Sequence, residues 1–397
     1  ITLRRTSISS ANGQTRVDLS KFSILERYGY NASAPIFTEA LFVGSCNNPR
    51  VSDCVFRDLY GGAVGFAGCV NAVAERNVAR NVGGGFGAVG TSGYSALGNK
   101  IDMRRLGTNG VVYNYKHSRF KAIAGNATSN VVLEDNEIKG ANWGIEFTGL
   151  DDKQYTVRRN RIWAEACGIS VPGKVIRSVL DDNYIELVPG FAFMGVEFAD
   201  AHIDSSCCGN TIVYAEALAT SGRCVQLQQP SVRALVARNT LRGPVGVYIG
   251  LGGASTSLRV LENLIDYTCA GIFVQYSSAK IGANTIQRQG SRVESYIRGV
   301  AVHALSGGKV DIFGNPVLEA GMEGVVYIEA GSSGAQGTHK VLHNHIDGGA
   351  STVAVRCTAA TKLSAGHNTH SGTATPYNVT ATTFAKWQCY TDDSVAA

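Results

Sequence analysis

The sequence predicts an all-β chain, a right-handed parallel β-helix of roughly a dozen rungs with a short N-terminal cap and a small C-terminal extension. Three observations predict it. A Gly-led apolar tetrapeptide returns along the chain, an Asn returns in step with it, and the composition is rich in Gly and poor in charge.

The tetrapeptide reads GIEF at Gly144, GISV at Gly168, GVEF at Gly195, GVYI at Gly246 and GIFV at Gly271. It continues as GVAV at Gly299 and GVVY at Gly324, with GVVY also at Gly110 and the variant CVQL at Cys224. The Asn landmarks are Asn77, Asn99, Asn136, Asn160, Asn183, Asn210, Asn239, Asn263, Asn284, Asn315, Asn344 and Asn368. Their spacings run from 21 to 37 residues, a constant coil carrying loops of different length. A leucine-rich solenoid has a similar period, but it needs the L-x-x-L-x-L-x-x-N frame and a helix or its equivalent in each unit. Here each unit instead holds short Val/Ile/Leu strands such as VVLEDNEI, YTVRRNRI and LRVLENLI, which suit stacked parallel strands. Asn suits the turns between them, because it tolerates left-handed backbone and its amide can bond the next rung.

Of 397 residues, 47 are Gly and only 8 are Pro, with 17% charged and 44% hydrophobic, ample for a large core. The net charge of +5 is mild and no Lys/Arg tract occurs, which argues against nucleic acid as a partner. No apolar run is long enough for membrane insertion. A start at Ile1 fits a mature or truncated fragment. The ten cysteines include no CxxC pair, and adjacent Cys207 and Cys208 suit neither zinc nor an ordinary disulfide. They are expected as free, mostly buried thiols, implying assembly in a reducing cytosol.

The expected boundaries are a cap over 1–37, the solenoid as one continuous domain over 38–372, and a cap or subunit-contact segment over 373–397. Within the cap, Leu19 to Tyr30 has helix-like apolar spacing. The C-terminal segment is polar with late aromatics at Phe384, Trp387 and Tyr390.

Alternation along a strand turns Ile145 and Phe147 inward and Glu146 outward. The same register places Val112, Ser170, Glu197, Gln226, Tyr248, Phe273, Ala301 and Val326 on one outer ladder, polar in its middle and apolar at its ends. Two rungs separate Glu146 from Glu197, about 9–10 Å at the ~4.8 Å strand spacing. That approaches the ~6.5–9.5 Å carboxyl separation of inverting glycosidases. Asp151 and Asp152 follow the first Glu, and Asp200 and Asp204 follow the second. Carboxylates so clustered raise one another's pKa, which keeps a general acid protonated, although Asp is also a common turn residue.

The longest interval holds YNYKHSRFK, offering Tyr113, Tyr115, Lys116, His117, Arg119 and Lys121 for sugar stacking, for holding acidic groups, or as the base of a β-elimination. Arg223 beside Gln226 is a further anion-binding candidate. GFGAVG at Gly85 matches a dinucleotide motif, but no helix-forming stretch follows. His343, His345, His367 and His370 lack a third ligand, so neither metal nor cofactor is expected.

The Gly-led strand, the recurring Asn and the outward acidic ladder together resemble the pectate-lyase-like β-helix superfamily, and within it the receptor-binding domains of bacteriophage tailspikes. The resemblance covers nearly the whole chain in architecture and rests on pattern, not on a signature motif. It implies a homotrimer on the virion tail, joined to it through a missing N-terminal part and acting extracellularly at the bacterial cell surface. There it would bind and cut O-antigen or capsule with paired carboxylates, a role that falls on Glu146 and Glu197, with Asp151, Asp152, Asp200 and Asp204 as substitutes. One departure is the brief C-terminal region, where many tailspikes carry a larger trimerisation domain. Glycoside hydrolysis is the leading expectation. A polysaccharide lyase or uronate epimerase, and a non-catalytic adhesin or structural spike, are the alternatives, because this fold hosts all three.

Overall fold

The computed structural model describes residues 2–4, 7–9, 30–31, 34–35, 40–59, 62–103, 105–106, 112–113, 121–148, 154–187, 194–199, 202–215, 222–228, 231–250, 256–289, 300–306, 308–319, 325–330, 338–347, 353–372, 375–387 and 390–391. They divide into two compact units, residues 1–192 and 193–397. Every regular element among the described residues is a β-strand. The predicted class, an all-β right-handed parallel β-helix, is what the chain forms, with about 11 coils against the dozen expected.

In unit 1, Ser129–Glu134 pairs in parallel with Tyr155–Arg158, and Glu137–Thr148 with Arg161–Val171. In unit 2, Leu258–Leu261 pairs in parallel with Ala279–Gly282, and Leu264–Gln275 with Thr285–Arg288 and Val300–Ser306. Parallel pairing also reaches residues 2–9 and 375–387. Thr2–Arg4 lies on Arg50–Ser52 and Ser7–Ser9 on Val55–Leu59, while Thr375–Trp387 lies on Val353–Gly366. Most of the helix-like stretch from Leu19 lies outside the described residues, and its last residue, Tyr30, is in a strand.

All twelve landmark Asn residues are at most 2% exposed and stack in ladders within each unit. In unit 1, Asn136 donates its backbone N–H to Asn160 Oδ1 at 3.0 Å, and its Nδ2 to the same oxygen at 2.9 Å and to the Ala96 carbonyl at 2.8 Å. In unit 2, Asn239 repeats the pattern with Asn263 Oδ1 and the Cys207 carbonyl. The left-handed residue is not the Asn itself but the one before it. Arg76, Gly98, Asp135, Arg159, Asp182, Gly209, Arg238, Glu262, Ala283, Gly314, His343 and His367 all have φ between 50° and 66°. Asn is therefore selected for its amide, which satisfies buried backbone groups that a turn would otherwise orphan.

The leading Gly has an equally physical reason. A Cβ on Gly144 would sit 2.5 Å from the Gly168 carbonyl oxygen, and one on Gly246 would sit 2.6 Å from that of Gly271. The backbones of successive coils approach too closely there for any side chain. Inward positions fill the core with aliphatic and aromatic groups, including Phe66, Tyr94, Phe147 and Tyr155, whose ring centroids follow at 6.0, 6.0 and 5.8 Å. Nine cysteines among the described residues are free thiols and eight of them are buried, as expected from their pattern.

The register corrects three members of the predicted ladder. Val112 belongs to a two-stranded antiparallel hairpin opposite Leu106, and Ala124 takes the rung position below Glu146. Phe273 aligns with His303 and then with Tyr327, so neither Ala301 nor Val326 is its neighbour. Val326 instead aligns with Val302 and faces the core. GFGAVG contributes a strand over Phe86–Val89.

Replacing Asn239 with Ala would strip the buried Asn210 N–H of its acceptor and the Cys207 carbonyl of its donor. Its cost should be about 2–4 kcal/mol in urea denaturation, several times that of removing the exposed Thr240 side chain. His339, fully buried, has no hydrogen-bond partner for either ring nitrogen among the described residues, and burial pushes its pKa down to about 4. The unfolded chain, with His near about 6.5, then holds the extra proton, so stability should fall as pH falls from about 6.5 towards about 4. His339→Leu should flatten that segment of a stability-versus-pH curve.

Candidate functional site

Glu146 lies outward between buried Ile145 and Phe147, as alternation requires, with Ala124 and Ser170 on the coils either side. Its carboxylate pairs with the Lys121 ammonium, side chains 13% and 20% exposed respectively. Lys121 comes from the end of the long interval, so part of that insertion does meet the acidic position. Ser170 points outward but is 1% exposed. Tyr115, Lys116, His117, Arg119, Asp151, Asp152 and Asp200 lie outside the described residues, as does the side chain of Tyr113.

Unit 2 brings a different set of side chains together. Glu197, Gln226 and Tyr248 occupy the same outer position on three consecutive coils. Gln228 Nε2 donates to Glu197 Oε1, and Arg223 Nη1 donates to Gln226 Oε1 at 3.1 Å. The Arg223 guanidinium also lies over the Tyr248 ring, 4.2 Å from its centroid. The Tyr248 hydroxyl reaches Gln275 Oε1 at 3.4 Å. A carboxylate, an amide, a guanidinium and a phenol are thus joined in one column, every member tied to a neighbour.

The column was expected to face solvent. Instead Glu197, Gln226 and Tyr248 are 5%, 1% and 1% exposed, and part-exposed Arg223 and Gln228 form its accessible edge. For Tyr248 the cover comes from the next coil. Tyr248 packs with Val245, Cys269, Ala270 and Phe273 in an apolar cluster on the outer side of the sheet, a satellite core. Beyond Phe273 the column continues through His303, Tyr327 and Arg356, none of which the sequence reading singled out. Ring centroids follow at 4.9, 5.0 and 5.3 Å, and the Arg356 guanidinium lies 5.3 Å from the Tyr327 ring. His303 Nε2 contacts Glu329 Oε1 at 2.9 Å. A polar residue set between aliphatics in AVHAL and VVYIE was the available signal, obscured by anchoring each rung on its nearest Gly.

Asp204 stands apart from this column. It occupies a left-handed turn position, φ 53°, and is held bidentately by Arg233 at 2.6 and 3.0 Å on the surface. His343 and His367 stack face to face at 4.9 Å, and no cluster of three or more metal-ligating side chains occurs among the described residues.

No protein-family model matches the chain, and no curated protein matches it in sequence. Solved structures offer distant likenesses. The Azotobacter vinelandii mannuronan C-5 epimerase AlgE6 A-module aligns over 88% of this chain and 91% of its own, at 13% identity and a TM-score of 0.41. A periplasmic alginate epimerase, AlgG, aligns over 98% of this chain and 84% of its own, at 10% identity and 0.45. The Dettilon tailspike protein aligns over 89% of this chain and 61% of its own, at 12% identity and 0.39. Likeness at this level carries no argument about chemistry, which rests on the side chains themselves.

Glu146 and Lys121 should couple by about 1 kcal/mol in a double-mutant cycle of Glu146→Gln and Lys121→Gln read by thermal unfolding. The pair is less exposed than surface pairs worth ~0.5 kcal/mol, yet not sealed like those whose rupture costs about 3–5 kcal/mol.

Proposed function

We propose that this protein binds a long bacterial surface polysaccharide and depolymerises it by glycosidic hydrolysis. The observation that carries the reading is the column of Glu197, Gln226 and Tyr248 on consecutive coils, bridged by Arg223. Arg223 and Gln228, the part-exposed edge of the column, would meet the polymer first and lead it to the more buried Glu197, Gln226 and Tyr248. Glu197 takes the proton of a water that attacks the anomeric carbon, and the leaving glycosidic oxygen departs with the C–O electron pair and takes a proton from solvent. Gln226 and Arg223 hold hydroxyl or acidic substituents, and Tyr248 offers a ring edge and a hydroxyl. The sequence resemblance to tailspikes adds a homotrimer on a phage tail, acting at the bacterial cell surface.

One observation favours elimination as a second reading. The Arg223 cation against the Tyr248 ring sets a charge-neutralising group beside a phenol. In an acidic polymer Arg223 would hold the uronate carboxylate while Tyr248 takes the proton next to it. The leaving glycosidic oxygen then departs with the C–O electron pair, and the new end is unsaturated. Returning the proton to the opposite face would instead give epimerisation with no change of mass.

The test is product mass spectrometry after incubating wild type, Glu146→Gln, Glu197→Gln and Tyr248→Phe with a panel of O-antigens and capsules. Hydrolysis gives fragments heavier by one water, with turnover reduced at least ~100-fold by Glu197→Gln. Ultraviolet-absorbing fragments lacking that water, lost in Tyr248→Phe, would establish the elimination reading. Binding without any change in the polymer would leave a non-catalytic adhesin.

A further inference from the structure

A second polar face lies in unit 1, built by the Asn turns. The residue after each buried Asn points outward, and four successive coils place Lys100, Glu137, Arg161 and Tyr184 in register. With the left-handed turn residues Gly98, Asp135, Arg159 and Asp182 they line an open groove of about 520 Å³. That volume falls within the ~300–1,000 Å³ range of ligand clefts. The corresponding positions of unit 2 are Thr211, Thr240, Leu264, Thr285, Pro316, His345 and Thr369, without a single Lys, Arg, Asp or Glu. The position after the Asn therefore carries charge on three coils of unit 1 and on none of unit 2.

The charges are not all neutralised within the groove. Arg159 is held by Asp135 at 2.9 and 3.0 Å and by Glu134 at 2.8 Å, and Glu137 pairs with Lys139. Lys100 and Arg161, on the coils either side of Glu137, are exposed and form no ion pair among the described residues. Beside them the Tyr184 ring is fixed from behind. Its hydroxyl and the Trp163 indole N–H both donate to Glu186 Oε2, at 2.9 and 3.0 Å, and the two rings lie 5.9 Å apart. A pre-oriented aromatic with two exposed cations two coils apart, both acting on Glu137 between them, suits a ring-shaped ligand that carries negative charge.

We infer that this groove binds an anionic saccharide unit, its carboxylate or sulfate taken by Arg161 and Lys100 and its ring packed against Tyr184. Glu137 and Asp182 accept hydrogen bonds from its hydroxyl groups. The groove is a binding subsite apart from the column of unit 2, and its role does not depend on whether Glu197 cleaves anything. A multi-coil polymer contact would gain avidity from it without any added catalytic group.

Isothermal titration calorimetry with hexagalacturonate, a chondroitin sulfate hexasaccharide and neutral cellohexaose tests this. Wild type should bind at least one of the acidic hexasaccharides at least ~10-fold more tightly than cellohexaose, and less tightly as salt rises. Arg161→Gln and Tyr184→Ala should each weaken that binding about tenfold, whereas Arg259→Gln, at an exposed position of unit 2, should leave it unchanged. Tyr184→Phe, which keeps the ring, should retain most of it and guards against loss through misfolding. Failure to bind either acidic hexasaccharide, equal binding by Arg161→Gln and wild type, or binding of a single-stranded oligonucleotide in their place would overturn the proposal.

Discussion

The amide of a buried Asn, bonded to the next Asn above it, is the interaction on which the remaining architecture depends. Burying an amide without partners costs several kcal/mol, so the position is tolerable only where every coil repeats it in register. Here the side-chain oxygen accepts two bonds and the side-chain nitrogen gives two, one of them to a strand carbonyl that the turn would leave unpaired. This pins each coil to the next at one corner, and it frees the rest of the coil to vary. Intervals of 21 to 37 residues then become loops of different length on a constant frame.

The same turn sets what lies outside it. The residue before each Asn must take the left-handed conformation, and that exposed position carries Asp or Arg where Gly is absent in much of unit 1. Asp53 with Arg76, and Asp135 with Arg159, pair bidentately across one coil, turning a strained backbone site into an interaction between coils. The residue after each Asn points to solvent, so four coils suffice to make a groove from side chains that are distant in sequence.

On the other outer column the balance goes differently. Glu197, Gln226 and Tyr248 turn away from the core yet are covered, and Tyr248 joins Phe273 and its neighbours in an apolar cluster. A polar group so placed must be held, and Gln228 and Arg223 hold Glu197 and Gln226. These constraints leave the donors and acceptors of the column at fixed positions, the preorganisation that binding and catalysis both use.

The sequence by itself determined the class of fold, the Asn ladder and the outward direction of Glu146, Glu197, Gln226 and Tyr248. Each follows from a local rule, the alternation of a strand or the repetition of a turn, and local rules are written in adjacent residues. Only the tertiary structure decided the exposure of the column and the partnership of Lys121 with Glu146. It alone aligned His303 and Tyr327 with Phe273, and only it assembled the Lys100–Tyr184 groove. Those outcomes depend on which residues of different coils fall into register across loops of unequal length. A slip of one residue reverses a side chain's direction, as it did for Val326, and no count along a single coil reveals it.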